Sequence, residues 1–229
     1  MDAMTTANLS GVRALIFDLD GTLIDSKQDL IHSVNAMLRE MRRAELPEAT
    51  IASYIGHGAP QLVARAMGTH SSDSECSRAL EFFLAYYEDH KLDATCAYPG
   101  VPEALEELRT LPMAVLTNKP VRISVRILDA LGLSTFFRLV YGGNSFETKK
   151  PHPLGARTIM HELSISGMQG LMIGDSEVDI QTARNAGMLA AVASYGFGIY
   201  DRQACPADLY LDTLKDLPPA LGIQRKSGS

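Results

Sequence analysis

The chain has 229 residues, 46% hydrophobic and 21% charged, with a formal net charge of -6. That is the make-up of an ordinary globular protein of one large domain, or of one domain carrying an insertion. No basic stripe is present, which argues against nucleic acid or an anionic membrane surface as partner, and no apolar run reaches the roughly 18 residues needed to span a bilayer.

Residues 1–11 and 224–229 are polar and read as flexible termini. The opening "MDAMTTANLSG" lacks a basic segment followed by an apolar one, so no secretory leader is expected. Next comes "ALIFDLDGTLIDS", Ala14 to Ser26. Ala14 to Phe17 has the length and apolarity of a central strand of a parallel sheet, where unpaired carboxylates are costly. Asp18 and Asp20 follow it at once, either capping a turn before Gly21 or meeting a compensating charge.

Between Asp25 and Tyr98 the strand pattern disappears. Leu30, Ile31, Val34, Met37, Leu38 and Met41 recur at helical spacing, as do Cys76, Leu80, Phe83, Leu84 and Tyr87. An all-helical insertion over 25–98 is expected, with these stripes as its core and short, turn-like junctions at Asp25 and "YPG" that could serve as a hinge. "MRR" at Met41 to Arg43 reads as a helix C-terminus with cations matching the dipole. Within "YIGHGAPQ", Gly56 and Gly58 can bring backbone N–H groups close to an anion, ahead of a helix starting near Ala59 or Pro60.

Beyond Tyr98, short apolar runs alternate with helical patterns: "MAVLTN" from Met113, "RLVYGG" from Arg138, "LMIGDS" from Leu171, "LAAVAS" from Leu189 and "DLYL" from Asp208. Helices are expected over Glu103 to Leu108, Arg122 to Leu131 and Val178 to Ala186, the last two stopped by Gly132 and Gly187. The fold class is therefore α/β, a three-layer Rossmann-like core with a central parallel sheet over 12–24 and 99–220, plus the inserted helical domain. Cys76, Cys96 and Cys205 show no disulfide or zinc spacing, and a reducing, cytoplasmic setting is the simplest reading.

In an open α/β sheet, ligands bind beyond the carboxyl ends of the strands. Asp18 and Asp20, Thr117 and Asn118, and Gly174, Asp175 and Ser176 all fall there, with Asp179 in the first turn of the next helix and Lys150 after a fourth strand. Clustered carboxylates without His or Cys point to a hard cation, Mg²⁺ first. A carboxylate nucleophile beside that cation suits phosphoryl transfer through an aspartyl-phosphate.

"DLDGTL", "LTN", "KKPHP" and "GDSEVD" resemble, in order, the four motifs of the haloacid dehalogenase superfamily, and the insertion resembles its small cap domain. The resemblance runs from about Val12 to Leu217. It implies Asp18 as nucleophile and Asp20 as the acid that protonates the leaving oxygen and then the base that activates water. It implies Thr117 and the Asn118 amide as phosphoryl contacts and Lys150 as charge balance. It also implies Mg²⁺ on Asp18, the Asp20 backbone carbonyl and Asp175, with Asp179 second to these or bonded through water. The second aspartate favours a phosphatase over a dehalogenase, because an alkoxide needs a proton to leave and a halide does not.

The glycine-bracketed loop of the insertion, with "AYPGV" after it, most resembles the phosphoglycolate phosphatase branch, although His57 stands where Asn is more usual. The expected partner is a small phosphorylated metabolite, 2-phosphoglycolate first, bound by a monomer or homodimer. Pyrophosphate, sugar phosphates and nucleotides are alternatives. So is a phosphomutase of the β-phosphoglucomutase type, against which stands the lack of its His motif after "DGTLIDS". A binding protein that kept the fold and lost the chemistry is the remaining class. His57 is either a carboxylate reader or an exposed loop histidine, and Arg65 could approach a carboxylate or lie on a solvated helix face. His32, His70, His90, His161 and Lys149 read as surface or helix residues, and His152 as structural between two prolines.

Overall fold

The structure, a computed structural model, describes residues 9–198 and 200–223. The expected loose ends at 1–8 and 224–229 lie outside the described residues. Leu9, placed in the loose end from sequence, is buried, and its carbonyl accepts the Val12 N–H at 3.0 Å.

Strand β1 (Ala14–Phe17) is buried along its whole length. A short ribbon strand, β2 (Ile24–Asp25), follows, and then the insertion: α1 (Lys27–Glu40), α2 (Glu48–Ala52), α3 (Ala59–Met67) and α4 (Asp73–His90). The chain returns through β3 (Cys96–Ala97) to α5 (Val101–Glu107), β4 (Met113–Leu116), α6 (Val121–Ala130) and β5 (Leu139–Tyr141). It ends with α7 (Leu154–Glu162), β6 (Gly170–Gly174), α8 (Glu177–Ala186), β7 (Leu189–Ala193), β8 (Leu209–Leu211) and α9 (Leu217–Ala220).

Six strands form one parallel sheet in the order β5-β4-β1-β6-β7-β8. Burial on both faces explains the near-continuous apolar runs. Alternation still sorts the side chains: Leu15, Phe17, Val115 and Ile173 enter one core cluster, while Ile16, Ala114, Leu116 and Met172 enter the other, against Ala156 and Ile159 of α7 and Ile180 and Ala183 of α8. The chain leaves β1 for β4 and β5 on one side and returns to β6 on the other. The C-terminal ends of β1 and β6 are thus the place where the winding reverses, which is where such sheets bind ligands.

In the insertion, Leu30, Ile31, Val34, Met37 and Leu38 of α1 are buried as their spacing predicts. On α4 the fully buried stripe is Ala79, Phe83 and Tyr87, whereas Cys76, Leu80 and Leu84 are only half-buried on the neighbouring flank. A capping box starts α4: Ser72 Oγ accepts the Glu75 N–H at 3.3 Å and Glu75 Oε2 accepts the Ser72 N–H at 2.9 Å.

The junctions expected as plain turns instead pair with each other, Ile24 opposite Ala97 and Asp25 opposite Cys96, as an antiparallel ribbon. Next to it, the buried Asp29 carboxylate accepts the N–H groups of Ala94 and Thr95 at 2.9 and 2.8 Å and the Thr95 hydroxyl at 2.6 Å. The two ends of the insertion are thereby fastened together. Arg43 does not complement the end of its own helix. Its guanidinium donates to the Met67 carbonyl at the end of α3 and lies 3.6 Å from Glu75. The cation therefore meets a dipole, but that of a different helix.

Candidate active site

Parallel register brings the strand ends level, with Phe17 beside Val115 and Ile173. Asp18 N–H still donates to Ile173 O at 2.8 Å, and Thr117 N–H to Tyr141 O at 3.0 Å. The next side chains therefore leave the sheet from fixed backbone. Asp18, Thr117, Asn118, Lys150, Asp175 and Asp179 are all buried.

Lys150 Nζ lies 2.8 Å from Asp18 Oδ1 and 2.6 Å from Asp179 Oδ1. Its peptide bond to Pro151 is cis. The other oxygen of Asp179 accepts the Ser176 hydroxyl at 2.6 Å and the Ser176 N–H at 3.2 Å. Burial pushes the Asp18 carboxyl up to about 6, with Lys150 opposing the rise. Burial, then Asp179 and Asp18, raises the Asp175 carboxyl well above the ordinary range. Burial alone would weaken the hold of Lys150 on its proton, but Asp179 and then Asp18 outweigh it and lift the ammonium above its usual value.

Asp175 sits in a backbone cradle. Its Oδ2 accepts the N–H groups of Phe197 and Gly198 at 3.0 and 2.8 Å. Gly21, at φ +79°, passes so close that a Cβ there would stand 2.0 Å from the same oxygen. Only glycine fits both that backbone and that gap.

One carboxylate oxygen from each of Asp18, Asp175 and Asp179 falls within 4.8 Å of the others. Asp18 Oδ1 accepts no hydrogen bond despite its ammonium neighbour. Three buried carboxylates against one ammonium leave an excess of negative charge and a free acceptor. That oxygen-only donor set fits a hard divalent cation.

Asp20 points elsewhere. Its Oδ1 accepts the Ser26 hydroxyl at 2.5 Å and the Lys119 ammonium at 2.7 Å, and its Oδ2 lies 3.0 Å from the same ammonium. Burial opposes the charge on Lys119, but Asp20 overcomes it and raises the ammonium above its ordinary value. On its other side Lys119 Nζ sits 4.6 Å from the centre of the Tyr87 ring. Sequence reasoning passed over Lys119, Ser26 and the loop ending in Gly198. The one available signal was the position of Lys119 directly after "LTN".

The side chain of Asn118 acts as a tie. Its Oδ1 accepts the Lys150 N–H at 3.0 Å, and its Nδ2 donates to Gly56 O at 3.0 Å and to Lys150 O at 3.2 Å. Gly56 and Gly58 border a solvent-connected cavity, together with Asp18, Asp20, Thr117 and Lys119. Its opposite wall is apolar, formed by Leu30, Ile55, Leu62, Phe83 and Tyr87 of the insertion. His57 is half-buried and does not line this cavity. Its pKa is lowered by burial and then by Arg65. Arg65 is exposed and borders a separate groove with Tyr54 and Gly68. The structure thus brings the core residues together and leaves His57 and Arg65 apart from them. His152 is held locally, its Nδ1 3.0 Å from Thr148 Oγ1.

Residues 15–193 match the family model described as haloacid dehalogenase-like hydrolase. The chain is 36% identical over 217 residues to a phosphoglycolate phosphatase of Chromobacterium violaceum, covering 92% of this chain and 96% of that protein. A phosphoglycolate phosphatase of Pseudomonas savastanoi pv. phaseolicola is 37% identical over 217 residues, covering 90% and 79% respectively. Among solved structures, a predicted phosphoglycolate phosphatase from Haemophilus somnus superposes with a TM-score of 0.86 at 30% identity, over 91% of this chain and 97% of that one.

Proposed function

The chain belongs to the haloacid dehalogenase-like hydrolase family, and on that premise we propose that it is a phosphatase that hydrolyses a small phosphomonoester, 2-phosphoglycolate first. The observation that carries this reading is the meeting of Asp18, Asp175, Asp179 and Lys150 at the strand ends, with Asp20 two residues from Asp18 and its side chain on the same cavity. The substrate reading is supported by a relative named phosphoglycolate phosphatase that this chain matches over 96% of that protein's length.

Asp18 attacks phosphorus, forming an aspartyl-phosphate as the bond from phosphorus to the ester oxygen breaks. Asp20 delivers a proton to that oxygen, which leaves as the alcohol. Asp20 then takes a proton from water as the water oxygen attacks phosphorus, which frees Asp18 and phosphate. Thr117 and the Asn118 N–H face the phosphoryl oxygens, and Lys150 keeps Asp18 in place while offsetting its charge. Mg²⁺, held by Asp18, Asp175 and the Asp20 backbone carbonyl with Asp179 behind them, would supply positive charge against the phosphoryl group when bound.

Residues 25–98 act as a cap whose Gly56 to Gly58 loop, tied to Asn118, covers the site and keeps out water. No helix among the described residues is long and apolar enough to cross a membrane.

The test is phosphate release from a panel of small phosphomonoesters and pyrophosphate, each with Mg²⁺ and with EDTA. A kcat/KM for 2-phosphoglycolate at least about 100-fold above the rest, or about 2.7 kcal/mol of discrimination, is expected. Broad activity, or another ester in the lead, removes the substrate assignment and leaves the phosphatase. Loss of all Mg²⁺-dependent release removes both.

A further inference from the structure

Two lysines are buried among the described residues, Lys150 and Lys119. The steps above use the first and leave the second idle. Burying an ammonium is unfavourable unless other groups replace its water. For Lys119 those groups are both carboxylate oxygens of Asp20, at 2.7 and 3.0 Å, and the face of the Tyr87 ring at 4.6 Å. The Lys119 side chain is 4% exposed, so water offers it little alternative. Its backbone is fixed as well, since its N–H points at Thr117 Oγ1 from 3.3 Å.

The restraint is mutual. A free aspartate side chain has two torsions to explore, but here both oxygens of Asp20 are held by one ammonium and one is also held by the Ser26 hydroxyl at 2.5 Å. A proton donor must come within hydrogen-bond reach of the leaving oxygen, and displacements of about 1 Å cost on the order of 100-fold in rate. Tyr87 comes from α4 of the insertion, whereas Lys119 and Asp20 come from the strand ends of the core.

We propose that Lys119 is the positioning residue of Asp20, and that Tyr87 seats Lys119 so that docking of the insertion completes the proton-transferring half of the site. This rests on the reading of Asp20 as acid and base. Lys119 touches neither phosphorus nor the leaving oxygen in this scheme; it acts through the aspartate alone.

The experiment compares phenyl phosphate with 4-nitrophenyl phosphate, two esters of similar shape whose leaving groups differ in their need for a proton. The full-length protein is assayed with Mg²⁺ as wild type, Asp20→Asn, Lys119→Met, Lys119→Arg and Tyr87→Leu. The readout is the ratio of kcat/KM for the two esters, because kcat/KM covers the step in which the leaving group departs. Asp20→Asn should lower the phenyl ester far more than the nitrophenyl ester. Lys119→Met should shift the ratio in the same direction by at least about tenfold, Tyr87→Leu by a smaller factor, and Lys119→Arg should restore much of it.

Equal losses on both esters, no loss, or a gain in Lys119→Met overturn the positioning role; a purely structural defect, or a lysine that reads the substrate instead, gives equal losses. An unmoved ratio in Tyr87→Leu overturns the part assigned to the insertion. Should Lys119→Met fail to melt cooperatively, Tyr87→Leu decides, and a wild-type ratio there sinks the proposal. An unmoved ratio in Asp20→Asn instead removes the acid role itself. A wild type inactive on every ester removes the phosphatase reading and this assignment with it.

Discussion

Lys150→Met removes the one cation shared by two buried carboxylates. The ammonium is 2.8 Å from Asp18 and 2.6 Å from Asp179, and the side chains of Lys150 and Asp179 are each 2% exposed, so solvent cannot take its place. At an effective dielectric near 20, each contact is worth about 6 kcal/mol of attraction. Much of that is offset by the desolvation of all three groups, and losing one partner of a buried pair typically costs about 3–5 kcal/mol. That is a large part of the total stability of about 5–15 kcal/mol usual for a domain. Urea unfolding followed by circular dichroism, in EDTA, should show the midpoint fall with little change in slope. Added Mg²⁺ should narrow the gap between variant and wild type, because a bound cation replaces part of the missing charge. A loss below about 1 kcal/mol in EDTA would refute the view that the carboxylates depend on this ammonium, and an unchanged gap in Mg²⁺ would count against a metal beside it.

The raised value of Asp18, about 6 against the ordinary 3.8, sets the sign of a pH effect. As pH rises from about 3.8 to about 6 the unfolded chain gives up this proton first, so this group makes the metal-free protein less stable across that window and adds no further slope above it. Asp18→Asn should flatten the slope in EDTA while abolishing turnover; midpoints across the window that fall as steeply as those of wild type would contradict the assignment. Glu88, at the end of α4, faces Lys91 on its own segment and Arg122 and Arg126 on α6. Both arginines are more than half exposed, which keeps the stability cost of Glu88→Gln below about 1 kcal/mol. Because the contact joins the insertion to the core, the variant should raise KM several-fold with a smaller effect on kcat, and high salt should do the same to wild type. Kinetics that stay unchanged in both would show that this contact has no part in closure.

The parallel sheet was legible because its strands are short, apolar on both faces and separated by helices with clear stops. Gly187 does end α8 in the left-handed region at φ +78°. The site's core was legible for a related reason. Asp18, Thr117 and Asp175 follow their strands without a gap, and a parallel register necessarily places such residues side by side. Local pattern had nothing to say about the β2–β3 ribbon, since two residues carry no periodicity, and α7 was missed between the proline-rich segment and a weakly apolar run.

Charged residues divide along the same line. Lys149 and Lys119 look equally like surface lysines in the sequence, yet one is exposed and the other buried. Asp29 reads as an ordinary first-turn acid and turns out to fasten the two ends of the insertion across 65 and 66 positions. Lys119 finds Asp20 across 99 positions. The strands of the main sheet and the polar groups at their ends could be read from local pattern, because both follow from neighbours along the chain. Which charges lose their water, and which partner compensates each of them, could not, because burial and ion pairing depend on segments that meet in space.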